Sequence, residues 1–349
     1  MSDSVIEITP LDFHWPTADP FLFCAFHQDN FPRGNGELGP DASLAGRNIG
    51  QDFTKQDGWR MYHGDRVPGF PGHPHRGFET ITVVKKGLVD HADSLGAAGR
   101  YGDGDVQWMT AGKGIQHSEM FPLLKKDTEN PLLLFQVWLN LPAASKMVEP
   151  HFTMFWDEDI PVITTEDAEG NKISIEVIAG RLNDISALSP PPDSWASETE
   201  SHVAVWLIDI DTDASWTLPA GAPELNRMLY FYDGDSLFIG DKTVEASHGI
   251  RLQSDLETTI KAIDGKARLL MLQGKPIGEP VAHYGPFVMN TREELQQAFI
   301  DYQRNQFGGW PWERNDQVHG ERGRFARYAD GREEVPEKKV ESGKLKVEI

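Results

Sequence analysis

The strand pattern of the chain is clearest in two segments, GFPGHPHRGFETITVVKKG at residues 69–87 and GDVQWMTAGKGIQHSEM at residues 104–120. Both are rich in β-branched and aromatic residues bounded by glycines, a pattern typical of short strands separated by turns. LLLFQVWLNLP at residues 132–142 continues the pattern and ends at a proline. Several short strands at close spacing, without alternating helices, predict an all-β chain built from antiparallel sandwiches or barrels.

A second set of strand-like segments follows in the other half of the chain. HVAVWLIDID at residues 202–211 opens it, and ARLLMLQGKP at residues 267–276 closes it. Between them, residues 227–246 (RMLYFYDGDSLFIGDKTVEA) predict a hairpin around an Asp-Gly-Asp turn. We therefore expect two β units, at residues 1–145 and 146–290.

The end of the chain predicts one helix and a polar tail. Thr291 and Glu294 have the spacing of a capping box, and apolar residues then recur at helical spacing, so a helix is expected within residues 291–312. Residues 313–349 contain nine basic and nine acidic side chains and few apolar ones. Such a composition predicts a flexible tail.

Charge and composition exclude several classes of function. The chain has 33 Lys and Arg against 54 Asp and Glu, a net charge of −21, which argues against direct nucleic-acid binding. No uncharged apolar run approaches the length of a membrane-spanning helix. The acidic start does not resemble a secretory signal, and Cys24, as the only cysteine, has no internal disulfide partner. We therefore expect a cytoplasmic protein, or a nuclear one in a eukaryote.

Two pairs of potential metal ligands lie in the two opening stretches. His73 and His75 are two residues apart, as are His117 and Glu119, so each pair points to one face of its strand. Two antiparallel strands of a small barrel can bring all four side chains together. Three imidazoles and a carboxylate suit iron, nickel, manganese, copper or zinc, and they leave coordination positions free for a substrate.

Four motifs together resemble the pirin family of the cupin superfamily. They are HPHRGFETIT (73–82), GDVQWMTAGKGIQHSEM (104–120), QVWLNLP with KMVEP (136–142 and 146–150) and GPFVMNT (285–291), within a resemblance covering roughly residues 55–310. The resemblance implies two cupin barrels and one metal ion, most often Fe(II), held in the first barrel by His73, His75, His117 and Glu119. The second barrel lacks a matching set of ligands, which predicts one metal per chain.

Glu79 is an alternative fourth ligand. In many cupins the glutamate that follows the first histidine pair binds the metal, and Glu79 has the same strand parity as His73 and His75. The pirin resemblance favours Glu119 instead. Glu79 is then expected to support a ligand or to form a salt bridge within the barrel.

The resemblance implies quercetin 2,3-dioxygenase activity, in which a flavonol ring is opened with O₂. The partners would be a small aromatic substrate and O₂, and Glu119 would take the proton of the flavonol 3-hydroxyl. The alternative function is that of a non-catalytic iron-binding regulator, because other pirins act through protein–protein contacts.

Overall fold

The chain forms two β units joined by one apolar core. The computed structural model describes residues 4–337 and 346–348. Residues 1–3, 338–345 and 349, which include the end of the predicted tail, lie outside the described residues. The described strands and the single helix confirm the prediction of an all-β chain with a C-terminal helix.

The strands of the first half, in chain order, are β1 (Val5–Pro10), β2 (His14–Trp15), β3 (Phe21–Phe31), β4 (Gly69–His75), β5 (Phe78–Lys86), β6 (Leu88–Asp93), β7 (Ala98–Gly102), β8 (Val106–Thr110), β9 (Ile115–Met120), β10 (Asn130–Asn140) and β11 (His151–Phe155). Those of the second half are β12 (Val162–Glu166), β13 (Lys172–Ala179), β14 (Arg181–Leu182), β15 (Ile185–Ser186), β16 (Ala204–Ile210), β17 (Ser215–Leu218), β18 (Asn226–Asp233), β19 (Ser236–Ile239), β20 (Lys242–Glu245), β21 (His248–Gln253), β22 (Thr258–Ile263), β23 (Ala267–Gly274), β24 (Ala282–Tyr284) and β25 (Phe287–Met289). The remaining elements are helix α1 (Arg292–Asn305), β26 (Phe325–Arg327), β27 (Glu333–Glu334) and β28 (Lys346–Glu348).

The first unit consists of two six-stranded sheets. One sheet has the order β11-β8-β5-β10-β3-β2, and the other has the order β27-β26-β7-β6-β9-β4. Side chains of both sheets meet in one buried cluster that includes Val84 and Met109 from the first sheet and Val89 and Tyr101 from the second. The two sheets therefore enclose a common interior, as expected for a cupin-type fold.

The second unit pairs an eight-stranded sheet with a four-stranded one. The large sheet has the order β1-β21-β18-β23-β16-β13-β12-β28, and the small sheet has the order β17-β22-β19-β20. The predicted hairpin around Asp233-Gly234-Asp235 is wrong, because β18 lies in the large sheet and β19 in the small one. The turn carries the chain between sheets, and β19 forms its hairpin with β20 instead.

Sheet membership does not follow the predicted division at residue 145. Strand β1 pairs with β21 of the second unit, whereas β11, which lies beyond residue 145, pairs with β8 of the first. The two units also share an apolar core, to which Ile81 and Val83 contribute from β5 and Val205 and Leu270 from the second unit. The domain boundary itself stays a prediction.

The C-terminal elements return to the first unit. The helix has the predicted capping box, in which Thr291 accepts a hydrogen bond from the Glu294 amide and the Glu294 carboxylate accepts one from the Thr291 amide. It ends at Asn305, and a short turn at Gln306–Gly308 follows. Residues 313–337, predicted as part of a flexible tail, lie along the first unit and add β26 to the edge of β7.

Glu79 links the first unit to the loop between β15 and β16. It is fully buried on β5, on the face that Ile81 and Val83 turn towards the shared core. Its Oε1 accepts a hydrogen bond of 2.6 Å from Thr110, and its Oε2 accepts one of 2.5 Å from Ser194, in the loop between β15 and β16. Burial raises the pKa of Glu79 to about 7, although the two hydroxyl donors favour the ionised carboxylate.

Replacing Glu79 should change how stability depends on pH. In the folded state, the pKa of Glu79 is raised from 4.5 to about 7. The contribution of Glu79 to the wild-type free energy of unfolding therefore falls as the pH rises from about 4.5 to about 7. Glu79→Gln removes this titration and keeps the side-chain size. We expect the unfolding free energy of the variant, relative to wild type, to rise by about 2–3 kcal/mol across that window, measured by urea denaturation.

The control for this experiment is Glu149→Gln, which changes an exposed carboxylate in a surface ion pair with Lys113. Its difference from wild type should be nearly constant over the same pH range. If the difference in unfolding free energy between Glu79→Gln and wild type were also constant over this pH range, the raised pKa of the buried carboxyl would be contradicted.

Candidate metal centre

Strands β4 and β9 bring three histidines to one point inside the first unit. In their antiparallel pairing, His73 lies opposite His117, and His75 lies opposite Ile115. The nitrogen atoms of His73, His75 and His117 that could bind a metal all lie within 4.8 Å of one another. His75 and His117 are buried, and His73 is partly exposed. The predicted meeting of the two histidine-bearing strands is therefore present in the structure.

A backbone contact orients the His73 ring. Its Nδ1 lies 2.9 Å from the carbonyl oxygen of Pro71. Because a carbonyl can only accept a hydrogen bond, Nδ1 carries the proton, and the lone pair is on Nε2. This contact fixes the tautomer of a potential metal-binding histidine, a common feature of such ligands.

Glu119 lies beside the histidines and is held by the facing sheet. One of its oxygens, Oε2, is 3.7 Å from Nε2 of His117. Gln136 donates a hydrogen bond of 2.7 Å to the same oxygen, and Thr82 donates one of 3.2 Å to Oε1. Burial raises the pKa of Glu119, although these hydrogen bonds lower it in part. The roles of Gln136 and Thr82 could not be read from the sequence, because both lie in ordinary strand segments.

The Glu79 side chain lies on the face of its sheet that packs against the second unit, away from the histidines. Its carboxylate binds Thr110 and Ser194, and it does not belong to the histidine cluster. The strand parity that made it an alternative ligand does not hold, because the chain turns at Gly77, with φ of +83°, between β4 in one sheet and β5 in the other. Among the residues that the structure describes, Glu79 has no salt-bridge partner, and its carboxylate accepts hydrogen bonds from two hydroxyl groups.

Burial keeps the histidine cluster neutral. The pKa of His73 is lowered to about 4, chiefly by desolvation. The pKa values of His75 and His117 are also lowered well below 6.5, by desolvation and then by the neighbouring histidines. At neutral pH the imidazoles therefore carry free lone pairs, which is the form that binds a metal ion.

The donor groups fit a divalent metal ion. Both ring nitrogens of His117 are buried and have no hydrogen-bond partner among the described residues. Buried polar atoms in folded proteins almost always have partners, so orphaned nitrogens facing two other imidazoles need explanation. A metal ion would satisfy the lone pairs, and the combination of nitrogen donors with a nearby carboxylate suits a transition metal.

His91 and Asp93 border the cluster on the other side of β9. They lie opposite Glu119 and His117, respectively, in the pairing of β6 with β9. Nε2 of His91 is 3.1 Å from a carboxylate oxygen of Asp93, and the His91 ring centroid is 5.5 Å from that of His117.

A series of partly exposed aromatic rings connects His75 to His73. Starting at His75 and ending at His73, successive ring centroids are 4.8–6.3 Å apart. We call the intervening side chains the aromatic circuit; they are Trp138, Phe23, His14, Phe13, Phe53 and Phe70. All six are at least partly exposed. The circuit combines residues from distant parts of the chain, which explains why sequence reasoning missed it.

The second unit has a different interior. Its two sheets enclose a large apolar cluster that includes Ile175, Leu229, Ile250 and Leu269. Within the described ranges, the only group of three or more potential metal ligands is that of the first unit. One metal per chain stays a prediction. The described helices include none with the length and apolar character needed to cross a membrane.

Comparisons with known proteins agree with this architecture. The sequence model of the family described as Pirin matches residues 43–139, and that of the Pirin C-terminal cupin domain matches residues 205–308. The structure resembles that of a quercetin 2,3-dioxygenase from Acinetobacter baumannii, with a TM-score of 0.69 and 26% sequence identity over 88% of this chain and 99% of that chain.

Similar proteins come from bacteria and eukaryotes. A Pseudomonas aeruginosa protein, whose name gives quercetin 2,3-dioxygenase as a provisional activity, is 40% identical over 246 residues, which cover 68% of this chain and 80% of that protein. Human Pirin is 32% identical over 253 residues, covering 71% of this chain and 80% of its own length. Because both β units match and these relatives are aligned over most of their length, the chain belongs to the pirin family of cupin proteins.

Proposed function

We propose that this protein is a metal-dependent dioxygenase that opens flavonols such as quercetin with O₂. The observation that carries the proposal is the cluster of three neutral histidines, with Glu119 beside it, bordered by the aromatic circuit. The quercetin dioxygenase names of a similar protein and a similar solved structure support the same reaction.

The metal would be held by His73, His75, His117 and Glu119, and we propose Fe(II) as the ion. When bound, the metal supplies the Lewis acidity and redox capacity that a reaction with O₂ requires. Nε2 of His73 is the available donor of that residue, because its Nδ1 is bound to the Pro71 carbonyl. The histidines are neutral and need not lose a proton to bind.

Glu119 would also take the proton from the flavonol 3-hydroxyl. Burial raises the pKa of its carboxyl, so the carboxylate is a stronger base than one in water. Gln136 and Thr82 each donate to a different oxygen of Glu119 and therefore hold the carboxylate in one orientation. Nε1 of Trp138 in turn donates a hydrogen bond of 3.3 Å to Gln136.

The aromatic circuit would bind the flat substrate. Aromatic faces and edges pack well against a planar ring system and exclude water from it. Trp138 is central to this contact, because its ring lies 5.3 Å from that of His75 and 5.2 Å from that of Phe23. A flavonol held there would have its hydroxyl groups close to Glu119.

Removing one histidine should abolish metal retention. Both proteins are reconstituted with Fe(II) under anaerobic conditions. We expect wild type to retain about one metal ion per chain. His117→Ala should retain less than about a tenth of that, because the variant loses one of the four proposed ligands. Elemental analysis after desalting measures this. His248→Ala, in the second unit, should retain as much metal as wild type. Full retention by His117→Ala would contradict the assigned site.

Replacing Glu119 should impair the reaction more than it impairs folding. We expect the Fe(II)-loaded wild type to consume quercetin and O₂ and to release CO. Glu119→Gln should lower kcat by about 10²–10⁴-fold, since it removes the proton acceptor. The measurement is carried out on samples of known metal content, with rates expressed per bound metal.

Glu79→Gln is the matched control, because Glu79 is the other buried glutamate of the first unit and lies outside the histidine cluster. It should turn over quercetin at nearly the wild-type rate. If fully metallated wild type neither consumed quercetin nor released CO, the proposed activity would be wrong.

Substitution in the aromatic circuit should weaken substrate binding. We expect Trp138→Ala to raise KM for quercetin about tenfold, equivalent to about 1.4 kcal/mol, while its metal content stays at the wild-type level. Trp138→Phe keeps an aromatic face and should recover most of the loss. Equal KM values for all three proteins would show that the substrate does not bind against this ring.

A further inference from the structure

The outward-facing neighbours of the metal-binding histidines are bound by the C-terminal part of the chain. Alternate residues of a strand point to opposite faces, so a residue next to an inward-pointing ligand points outward. Gln116 directly precedes His117 on β9 and therefore points outward. Its outward contacts are made with α1 and with residues 306–319, which we call the C-terminal strap.

Gln116 uses its whole amide group in these contacts. Its Oε1 accepts a hydrogen bond of 3.0 Å from the Tyr302 hydroxyl of α1. Its Nε2 donates to the carbonyl oxygens of Gln306, at 2.6 Å, and Gly309, at 3.2 Å. Gln116 is only 6% exposed, so these hydrogen bonds are shielded from water. One residue away from His117, the strand is therefore bonded to both the helix and the strap.

The strand that carries the other two histidines is bound in a similar way. Arg76, next to His75, forms a salt bridge of 2.9 Å with Asp301 of α1, and its guanidinium group lies over the Phe307 ring. The backbone amide of Gly72, next to His73, donates a hydrogen bond of 2.7 Å to the carbonyl of Asn315 in the strap.

The contact at Gly72 lies where β4 is least supported by its own sheet. The pairing of β4 with β9 is irregular between Phe70 and His73. The strap supplies the partner there, and a Cβ placed on Gly72 would lie 3.6 Å from the Trp310 ring. Pro71, whose carbonyl orients the His73 ring, belongs to the same irregular segment. The strap therefore contacts the backbone that sets the orientation of His73.

We propose that α1 and the strap form an external brace that sets the positions of the metal-binding histidines, with Gln116 as its main positioning residue. This inference rests on the metal site of the proposed function. Residues that orient metal ligands from outside commonly change metal affinity. Coupling between two binding equilibria is reciprocal. If docking of the strap strengthens metal binding by some factor, metal binding must strengthen docking of the strap by the same factor.

The first test is a titration of the full-length, metal-free protein with Co²⁺ alone, followed by the visible absorption of the bound ion. We expect Gln116→Leu to raise the Kd for Co²⁺ about tenfold and to alter the absorption spectrum, because the ligand geometry relaxes. Tyr302→Phe removes one hydroxyl and keeps the packing of α1. It should raise the Kd by a smaller factor.

The matched control is Gln273→Leu in the second unit. Gln273 is also buried, and it accepts a hydrogen bond of 2.7 Å from Arg227. Gln273→Leu should lower Tm about as much as Gln116→Leu does. It should leave the Kd for Co²⁺ unchanged. If Gln116→Leu and Tyr302→Phe bind Co²⁺ as wild type does, the brace is only structural and the inference is wrong. If wild type itself binds no Co²⁺, the metal site and the inference both fail.

The second test is hydrogen exchange of the strap. In wild type, we expect Co²⁺ to slow the exchange of backbone amides within residues 306–319, because metal binding and docking are coupled. In Gln116→Leu at saturating Co²⁺, this added protection should be smaller. Exchange that is unaffected by Co²⁺ in wild type would overturn the coupling even if the protein binds the metal.

Discussion

The antiparallel pairing of β4 with β9 determines which side chains meet inside the first unit. It places His73 opposite His117 and turns both towards the interior of the first unit. A shift of one residue in this register would turn the histidines of one strand to the outside. The pairing therefore determines whether three imidazoles meet, and the surrounding structure keeps it in place despite the irregular segment after Phe70.

Burial gives the histidine cluster its chemical character. Desolvation lowers the pKa values of all three histidines, so they stay neutral, and it raises the pKa of Glu119. The facing sheet compensates for the buried carboxylate through Gln136 and Thr82. One sheet thus supplies the imidazoles, and the other orients the carboxylate, which makes the association of the two sheets necessary for the site.

The two units have different physical tasks. The second unit fills its interior with apolar side chains and packs against the first through the shared core. The first unit keeps a polar cluster in its interior, which by itself contributes little to stability. Contacts from outside surround this cluster. The loop between β15 and β16 binds Glu79 through Ser194, and the C-terminal strap and helix bind Gln116, Gly72 in the middle of β4 and Arg76 just after β4.

Local periodicity and motifs of contiguous residues were enough to predict most of the strands, the capped helix and the two pairs of candidate ligands. Only the tertiary structure showed that the turn at Gly77 places Glu79 on the other side of the sheet. The aromatic circuit and the contacts of the strap also required it. Their members are separated by as many as 243 residues, for Gly72 and Asn315, and no local pattern links them. Their proximity results from the association of the sheets and from the return of the C-terminal segment to the first unit.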